Sequence, residues 1–220
     1  MKARYLSAGL LALTLVCLFA SCQKEVNFQN DTVPIDPNNP NPPAPLDIKG
    51  NWTFIDQSGN LKVDFTATQS GVQITGVINS EFASSENAGD VTITDNQFQF
   101  VGLGSHITGN SNVKTYLGPV LLDESNTPLD ESTTPGNANL DYTKNTADSL
   151  TFPNGFPGLP DTISGVATST ISAPVGARII FSNDTMILNL RSVFKGNVTQ
   201  EGVPAKVDVL TNAVVKFKKK

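Results

Sequence analysis

The sequence has very few of the residues that most often carry chemistry at a protein site. Its 220 residues include one histidine, two cysteines, two methionines and one tryptophan. Both cysteines, Cys17 and Cys22, precede residue 47, so the remainder of the chain has neither a disulfide nor a thiol. With His106 as the single histidine, the usual cysteine and histidine ligands of zinc are missing. We therefore expect no metal and no cofactor.

Basic residues are also scarce. The net charge is −5, from 15 basic and 20 acidic residues. Lys216, Lys218, Lys219 and Lys220 form the one basic cluster, which predicts a solvated tail. Binding to phosphate backbones requires a clustered basic face, so we expect no nucleic acid partner.

Long apolar runs are absent except at the N-terminus, where Lys2 and Arg4 precede an apolar stretch over residues 6–19. This stretch is shorter than the ~20 residues that a transmembrane helix needs. Ala20-Ser21-Cys22 follows it, and the segment resembles a bacterial lipoprotein signal peptide. The resemblance implies that residues 1–21 are removed and that Cys22 is acylated and anchors the protein to a membrane. An ordinary secretory signal is the alternative.

The residues after Cys22 indicate a cellular location and a tether. Gln23-Lys24-Glu25 resembles the export signal of Bacteroidota lipoproteins, which implies an outer-membrane location with exposure at the cell surface. Residues 22–46 are rich in proline and asparagine and lack apolar periodicity. Proline-rich chain is extended, at about 3.1 Å per residue, so these residues predict a tether.

From Gly50 onward, apolar residues recur with a period of two, which is typical of half-buried strands. Turns are predicted at Ser58-Gly59-Asn60, Ser70-Gly71, Asp95-Asn96 and Ser182-Asn183-Asp184. Residues 47–220 therefore predict one all-β domain of roughly eight to ten strands. Sequential hairpins favour an antiparallel up-and-down β-barrel, and a β-sandwich is the alternative.

Gly50-Asn51-Trp52 at the start of the first strand resembles the Gly-x-Trp motif of lipocalin-like barrels. The order of tether, tryptophan strand and further strands resembles lipocalin-like lipoproteins of Bacteroidota. The resemblance implies that an arginine, Arg191 or Arg178, stacks on the Trp52 ring. It also implies a small apolar ligand inside the barrel, for which the candidate binding residues are Trp52, Phe65, Ile74, Phe98, Phe100 and Phe156.

The sequence contains no recognisable arrangement of catalytic residues. Ser105 and His106 are adjacent, so on a strand they point to opposite faces and do not form a nucleophile-base pair. His106 is interpreted as a polar residue beside a turn. No acid, base and nucleophile converge, and we expect a protein that is not an enzyme.

Two further patterns concern the surface. Residues 122–128 are nearly repeated at 129–135, with an acidic pair in each copy, and predict a long solvated loop. Segments of the form Asp-Ser/Thr-aliphatic resemble the O-glycosylation acceptor of Bacteroidota. Their candidate acceptor residues are Thr32, Ser149, Thr162 and Thr185.

The segment from Phe152 to Pro160 contains two phenylalanines among prolines. It predicts either a flap over a barrel mouth or, more simply, a strand end at Phe152 with Phe156 in the core. The sequence leaves two functions open. One is a lipid-anchored envelope protein that holds a small apolar ligand in its barrel. The other is a surface interaction module that contacts a glycan or a partner protein.

Overall fold

The computed structural model describes residues 47–69, 71–156, 162–163, 166–167, 174–200 and 203–220. The predicted signal peptide, Cys22 and the tether lie outside these ranges, as does Thr32. Within them, the secondary structure consists of strands and turns. None of the described residues forms a helix long and apolar enough to cross a membrane.

The described part of the chain forms twelve strands. They are β1 (Gly50–Gln69), β2 (Val72–Ile93), β3 (Gln97–Leu117), β4 (Val120–Ser132), β5 (Gly136–Asp141), β6 (Thr143–Lys144), β7 (Ser149–Phe152), β8 (Thr162–Ile163), β9 (Val166–Ala167), β10 (Val175–Ser182), β11 (Thr185–Gln200) and β12 (Val203–Lys219).

Ten of these strands form one antiparallel sheet, and β8 and β9 form a separate pair. The order in the large sheet is β4-β3-β2-β1-β12-β11-β10-β7-β6, with β5 also paired to β3. This order confirms the all-β prediction. The predicted closed barrel is wrong, because β4 and β6 end the ladder unpaired to one another. The chain itself connects the two ends, since β5 pairs with β3 and β6 follows it and pairs with β7.

The sheet has two parts, which we call the base and the extension. The base contains the strand ends near Gly50, Ile93, Gln97 and Lys219, together with β5, β6, β7 and β10. The extension contains six strand segments that continue past it, at residues 61–69, 72–80, 111–117, 120–127, 192–200 and 203–211. It exists because β1, β2 and β3 are 20 to 22 residues long, which corresponds to about 65–70 Å of strand.

Phenyl rings lie over glycines on the inner face of the sheet. A Cβ atom at Gly59 would meet the Phe82 ring at 2.8 Å, and one at Gly76 would meet the Phe65 ring at 2.2 Å. In both cases the phenylalanine is the direct cross-strand partner of the glycine. The glycines leave space for rings that bury area where a single sheet has no second layer above it.

Three hairpin turns agree with the sequence. Gly71 has a φ of +80° between β1 and β2, and Asn183 has a φ of +56° between β10 and β11. Both occupy the left-handed region that glycine and asparagine tolerate best. Between β2 and β3, the Thr94 amide donates to the Gln97 carbonyl at 3.0 Å.

The predicted turn at Ser58-Gly59-Asn60 is wrong, because β1 continues through these residues. The pairing of β1 with both neighbours shifts between Thr53 and Ser58 instead. This bulge changes which residues face inward, from Trp52 and Phe54 to Gln57 and Leu61. The sequence shows the same change of phase, which a turn and a bulge explain equally well.

Two surface predictions are also corrected. The repeat over residues 122–135 does not form a long loop, because most of it lies in β4 and its main chain pairs with β3. The C-terminal lysines do not form a free tail either, since β12 extends to Lys219. Within that strand, Lys216 forms an ion pair at 3.1 Å with Asp56, its cross-strand partner on β1.

Candidate ligand-binding site

The base is filled by a continuous set of aromatic rings. Phe98, Phe152 and Phe217 have no exposed surface, and Phe100 is 2% exposed. Neighbouring ring centroids are 5.0 to 6.2 Å apart along the series Phe98, Phe152, Phe156, Phe100, Phe217 and Phe54. Phe156 follows β7 and lies outside the strands, and the other rings come from β1, β3, β7 and β12. The series therefore joins strands that the sheet order separates.

A cavity of about 210 Å³ lies beside these rings. Its apolar wall is formed by Phe54, Phe100, Leu103, Ala138, Phe156, Val215 and Phe217, and its other lining residues are Gln57, Ser105, Thr133, Thr134, Gly136 and Asn137. Thr133, Thr134, Gly136 and Asn137 are exposed, so this side of the cavity faces solvent. A volume below 300 Å³ fits a ligand smaller than most drug-like molecules.

The cavity lies where the sheet is irregular. The β2–β3 register shifts between Ser85 and Asp90, and the β3–β5 register shifts between Phe100 and Leu103. Residues 133–135 between β4 and β5 are not in a strand. Bulges interrupt the alternation of side chains, and here they leave a gap in an otherwise packed wall.

Two buried polar residues line the apolar cavity. Gln57 is 2% exposed and Ser105 is 9% exposed. The Ser105 amide donates to the Thr133 hydroxyl at 2.8 Å, and that hydroxyl donates to the Ser105 carbonyl at 3.1 Å. These bonds fix the position of Ser105. The wall therefore combines phenyl rings with a few polar groups, which is typical of small-molecule sites.

The six predicted binding residues do not form one site. Phe100 and Phe156 line the cavity. Phe98 and Trp52 are buried in the base, where they pack the core. Phe65 and Ile74 are half-buried in the extension, with Phe65 packed over Gly76.

The environment of Trp52 differs from the prediction. Its indole Nε1 donates to the Ile48 carbonyl at 2.9 Å, and its ring lies 5.9 Å from that of Phe181. The cation near the ring is Lys219, whose Nζ is 5.8 Å from the ring centroid. The predicted arginine contact is wrong, because β12 rather than an arginine-bearing strand places its last residues directly beside Trp52.

His106 lies within β3 and not beside a turn. Its Nδ1 is 2.9 Å from the Ser132 hydroxyl, and its Nε2 is 3.3 Å from Asp130 Oδ1. These are the residue types of a catalytic triad, but the Asp130 side chain is 76% exposed. A triad relies on a buried carboxylate and nearby oxyanion donors. The three side chains form a polar surface row, which the sequence analysis did not foresee.

The glycosylation candidates within the described ranges lie on strands. Ser149 is half-buried in β7 and its hydroxyl is 2.8 Å from that of Thr146. Thr185 is half-buried at the start of β11 and donates to Asp184 at 3.4 Å. Thr162 is in β8. Among the described residues, no three His, Cys, Asp or Glu side chains are grouped to hold a metal ion.

Sequence reasoning missed most of the cavity wall. Phe54 and Phe217 were visible as inward strand residues, but nothing placed them beside one another. Gln57 was hidden by the bulge, because the period-two pattern before Phe54 assigns position 57 to the outer face. The apolar positions change from even to odd numbers between Phe54 and Leu61, and this change was the sequence signal for the bulge that turns Gln57 inward.

The comparisons with known proteins add little to this geometry. No protein-family model matches the chain, and neither does any curated protein. Among solved structures, the chain is similar to Ail, the attachment invasion locus protein of Yersinia pestis, at 8% identity. The similarity covers 77% of this chain and 100% of that one with a TM-score of 0.20. It carries no argument about function.

Proposed function

We propose that the protein is a lipid-anchored protein of the outer membrane whose β domain binds a small apolar ligand. The ligand occupies the cavity between Phe100, Phe156 and the end of β12. We further propose that the domain is lipocalin-like in its up-and-down strand connectivity, with an open sheet, and that its role is binding and not catalysis. The cavity in the aromatic base is the observation that carries this proposal.

The composition of the cavity wall supports a ligand with a short apolar body and a polar group. Leu103, Ala138 and Phe156 offer the apolar surface that is still accessible, and covering it with a ligand contributes about 25 cal/mol per Å². Gln57 and Ser105 offer amide and hydroxyl groups to a polar end. The exposed side at Asn137 provides a route of entry.

The anchor is supported by the sequence around Cys22. Each buried methylene of an acyl chain contributes ~0.8 kcal/mol, so two or three chains hold a protein on its membrane. Replacing Cys22 with Ala is expected to move the protein to the soluble fraction of its host, as followed by fractionation and intact-mass measurement. Retention of the variant in the membrane would exclude this anchor. Protease treatment of intact cells would then test exposure at the surface.

Ligand binding is tested on residues 22–220 with decanoic acid as the probe, by native mass spectrometry and titration calorimetry. We expect one molecule to bind, and Ala138→Phe to weaken binding at least tenfold because the new ring fills the cavity. Ala83→Phe is the matched control, since Ala83 is exposed on β2 outside the cavity. Equal binding by wild type and Ala138→Phe would place the ligand elsewhere.

The alternative is a surface interaction module that contacts a glycan or a partner protein without using the interior. A wild-type domain that binds no apolar probe would favour it.

A further inference from the structure

The outer face of the sheet has a groove of about 600 Å³ that crosses five strands of the base. Two rows of outward side chains form its walls. One row contains Arg178, Asn189, Val214 and Ser58, and the other contains Arg191, Asn212, Asn60 and Glu81; within each row, consecutive residues are direct cross-strand partners.

The floor of the groove is main chain. Leu190, Ala213, Gly59 and Phe82 form the row between the two walls, and three of them are buried with their side chains on the inner face. The groove runs from β10 to β2, and neighbouring strands are about 4.8 Å apart, so its length is about 19 Å. It therefore suits an elongated ligand that lies across the strands.

The two ends of the groove differ in charge. Arg178 and Arg191 occupy the end at β10 and β11, and Glu81 occupies the end at β2. Asp148 lies 3.5 Å from Arg178 Nε, whereas no carboxylate among the described residues forms an ion pair with Arg191. In a chain with a net charge of −5, two arginines at one end of the groove, one of them without an acidic partner among the described residues, can attract an anion. The flat guanidinium matches a carboxylate through two parallel hydrogen bonds.

Between these ends, the walls present amides and a hydroxyl. The Asn212 amide nitrogen donates to Asn60 Oδ1 at 3.2 Å, and each of the two amides keeps a further donor and acceptor. Glu81 accepts hydrogen bonds from hydroxyl groups and repels a second anion. The matching ligand has a carboxylate at one end and neutral hydroxyl groups along the rest.

We propose that this groove binds an oligosaccharide with an acidic sugar at one end, held by Arg191 and Arg178. A peptide that binds by strand addition does not fit, because that mode pairs the peptide main chain with a free sheet edge. The strands that form the groove walls at Asn60, Asn212 and Arg191 are paired on both sides there. Recognition in the groove must therefore come from side chains, and this suits a hydroxyl-rich ligand. The site is independent of the interior cavity.

The test measures binding to residues 22–220 by titration calorimetry, with a xylotriose that carries one glucuronate as the probe. Xylotetraose is the neutral comparison, and a tetrapeptide of one glutamate and three serines is the peptide comparison. We expect the acidic saccharide to bind at least tenfold more tightly than either. We also expect its binding to weaken with added salt.

Variants locate the site. Arg191→Ala is expected to weaken binding of the acidic saccharide at least tenfold, and Arg191→Lys to restore part of the loss, since it keeps the charge without the planar fork. Lys206→Ala is the matched control, because Lys206 is an exposed cation in the extension with no ion pair among the described residues. The proposal is overturned if the wild type does not bind, if the peptide or xylotetraose binds equally well, or if Lys206→Ala weakens binding as much as Arg191→Ala.

Discussion

The base and the extension share strands but differ in what surrounds them. In the base, rings from several strands meet, and Trp52, Phe98 and Phe217 are at most 1% exposed. At the tip of the extension, Val120 is 58% exposed and Leu122 is 49% exposed. Apolar strand residues thus form a packed core where strands face one another and remain exposed where they do not.

Position along the strand decides burial within a single strand. On β1, Val63 is 2% exposed, whereas Phe65, which has the same orientation two residues further on, is only half-buried. The extension compensates with side chains that lie along the sheet itself, as Phe65 does over Gly76. We conclude that the base supplies most of the stability and that the extension depends on it.

The largest expected loss of stability comes from removing a phenylalanine ring, and it should differ between the base and the extension. Phe98→Ala removes a fully buried ring from the base and is expected to lower the free energy of unfolding by about 3–5 kcal/mol. Phe194→Ala removes a half-buried ring from the extension and is expected to cost about half as much or less. Denaturant unfolding measures both. Equal losses would show that the extension is as tightly packed as the base.

The second-largest expected effect on stability concerns Gly109, a glycine at the boundary between the base and the extension. A Cβ atom at Gly109 would approach the Glu81 carbonyl oxygen to 2.0 Å, and this neighbour is main chain. Gly109→Ala is therefore expected to cost about 2–3 kcal/mol through overpacking. Gly136→Ala is the control, since its nearest neighbour is 3.9 Å away and its backbone is not left-handed. A neutral result at Gly109 would mean that β2 and β3 separate easily at this point.

A third comparison uses two tyrosines, of which Tyr142 lies where the chain connects the two ends of the sheet. Its hydroxyl donates to the Thr94 carbonyl at 2.8 Å, and burial raises the pKa of the phenol. Tyr142→Phe removes this bond and is expected to cost about 1 kcal/mol. Tyr116→Phe, in the extension, is expected to change stability by less than about 0.5 kcal/mol. Thermal unfolding distinguishes them, and an effect at Tyr116 as large as at Tyr142 would contradict this view.

The smallest effect concerns an exposed carboxylate at the edge of the base. The Lys220 ammonium, 2.6 Å away, lowers the pKa of Asp90, with help from the Thr53 hydroxyl. Because the folded-state pKa is below the unfolded value, this pair stabilises the fold above the unfolded pKa, and its contribution is lost as the pH falls through the folded pKa. Lys220→Ala is expected to raise the pKa of Asp90 toward 3.8.

Carboxyl chemical shifts measured by NMR against pH would detect that change. Lys62→Ala serves as the control, because Lys62 pairs with Asp64 and not with Asp90. An unchanged Asp90 titration in Lys220→Ala would show that the C-terminal residue does not hold this position in solution.

The local pattern of apolar residues predicted where most strands lie. It did not predict which strands pair with one another. Alternation found β1, β2, β10, β11 and β12, since a strand's side chains follow from its own residues. The repeat at 122–135 was predicted as a loop because most of its side chains are polar. An edge strand with nearly every residue exposed has that composition too, and only the pairing with β3 distinguishes the two.

The candidate sites were harder to predict for a related reason. Phe100 and Phe156 were identified as binding residues because both are apolar. The cavity depends on bulges in three strands, and the groove depends on which outward residues become cross-strand partners. Arg178 and Arg191 were assigned to Trp52, because the sequence does not state which face of the sheet each one occupies.

The sequence alone determined an all-β domain with particular hairpins, since chain reversal at Gly71 or Asn183 requires only local backbone preferences. Tertiary structure decided that the ladder stays open, that Lys219 approaches Trp52, and that the two arginines share a groove. These features depend on register between strands up to 160 residues apart, such as Asp56 and Lys216. A shift of one residue would exchange the faces, and only the packing of the whole sheet excludes it.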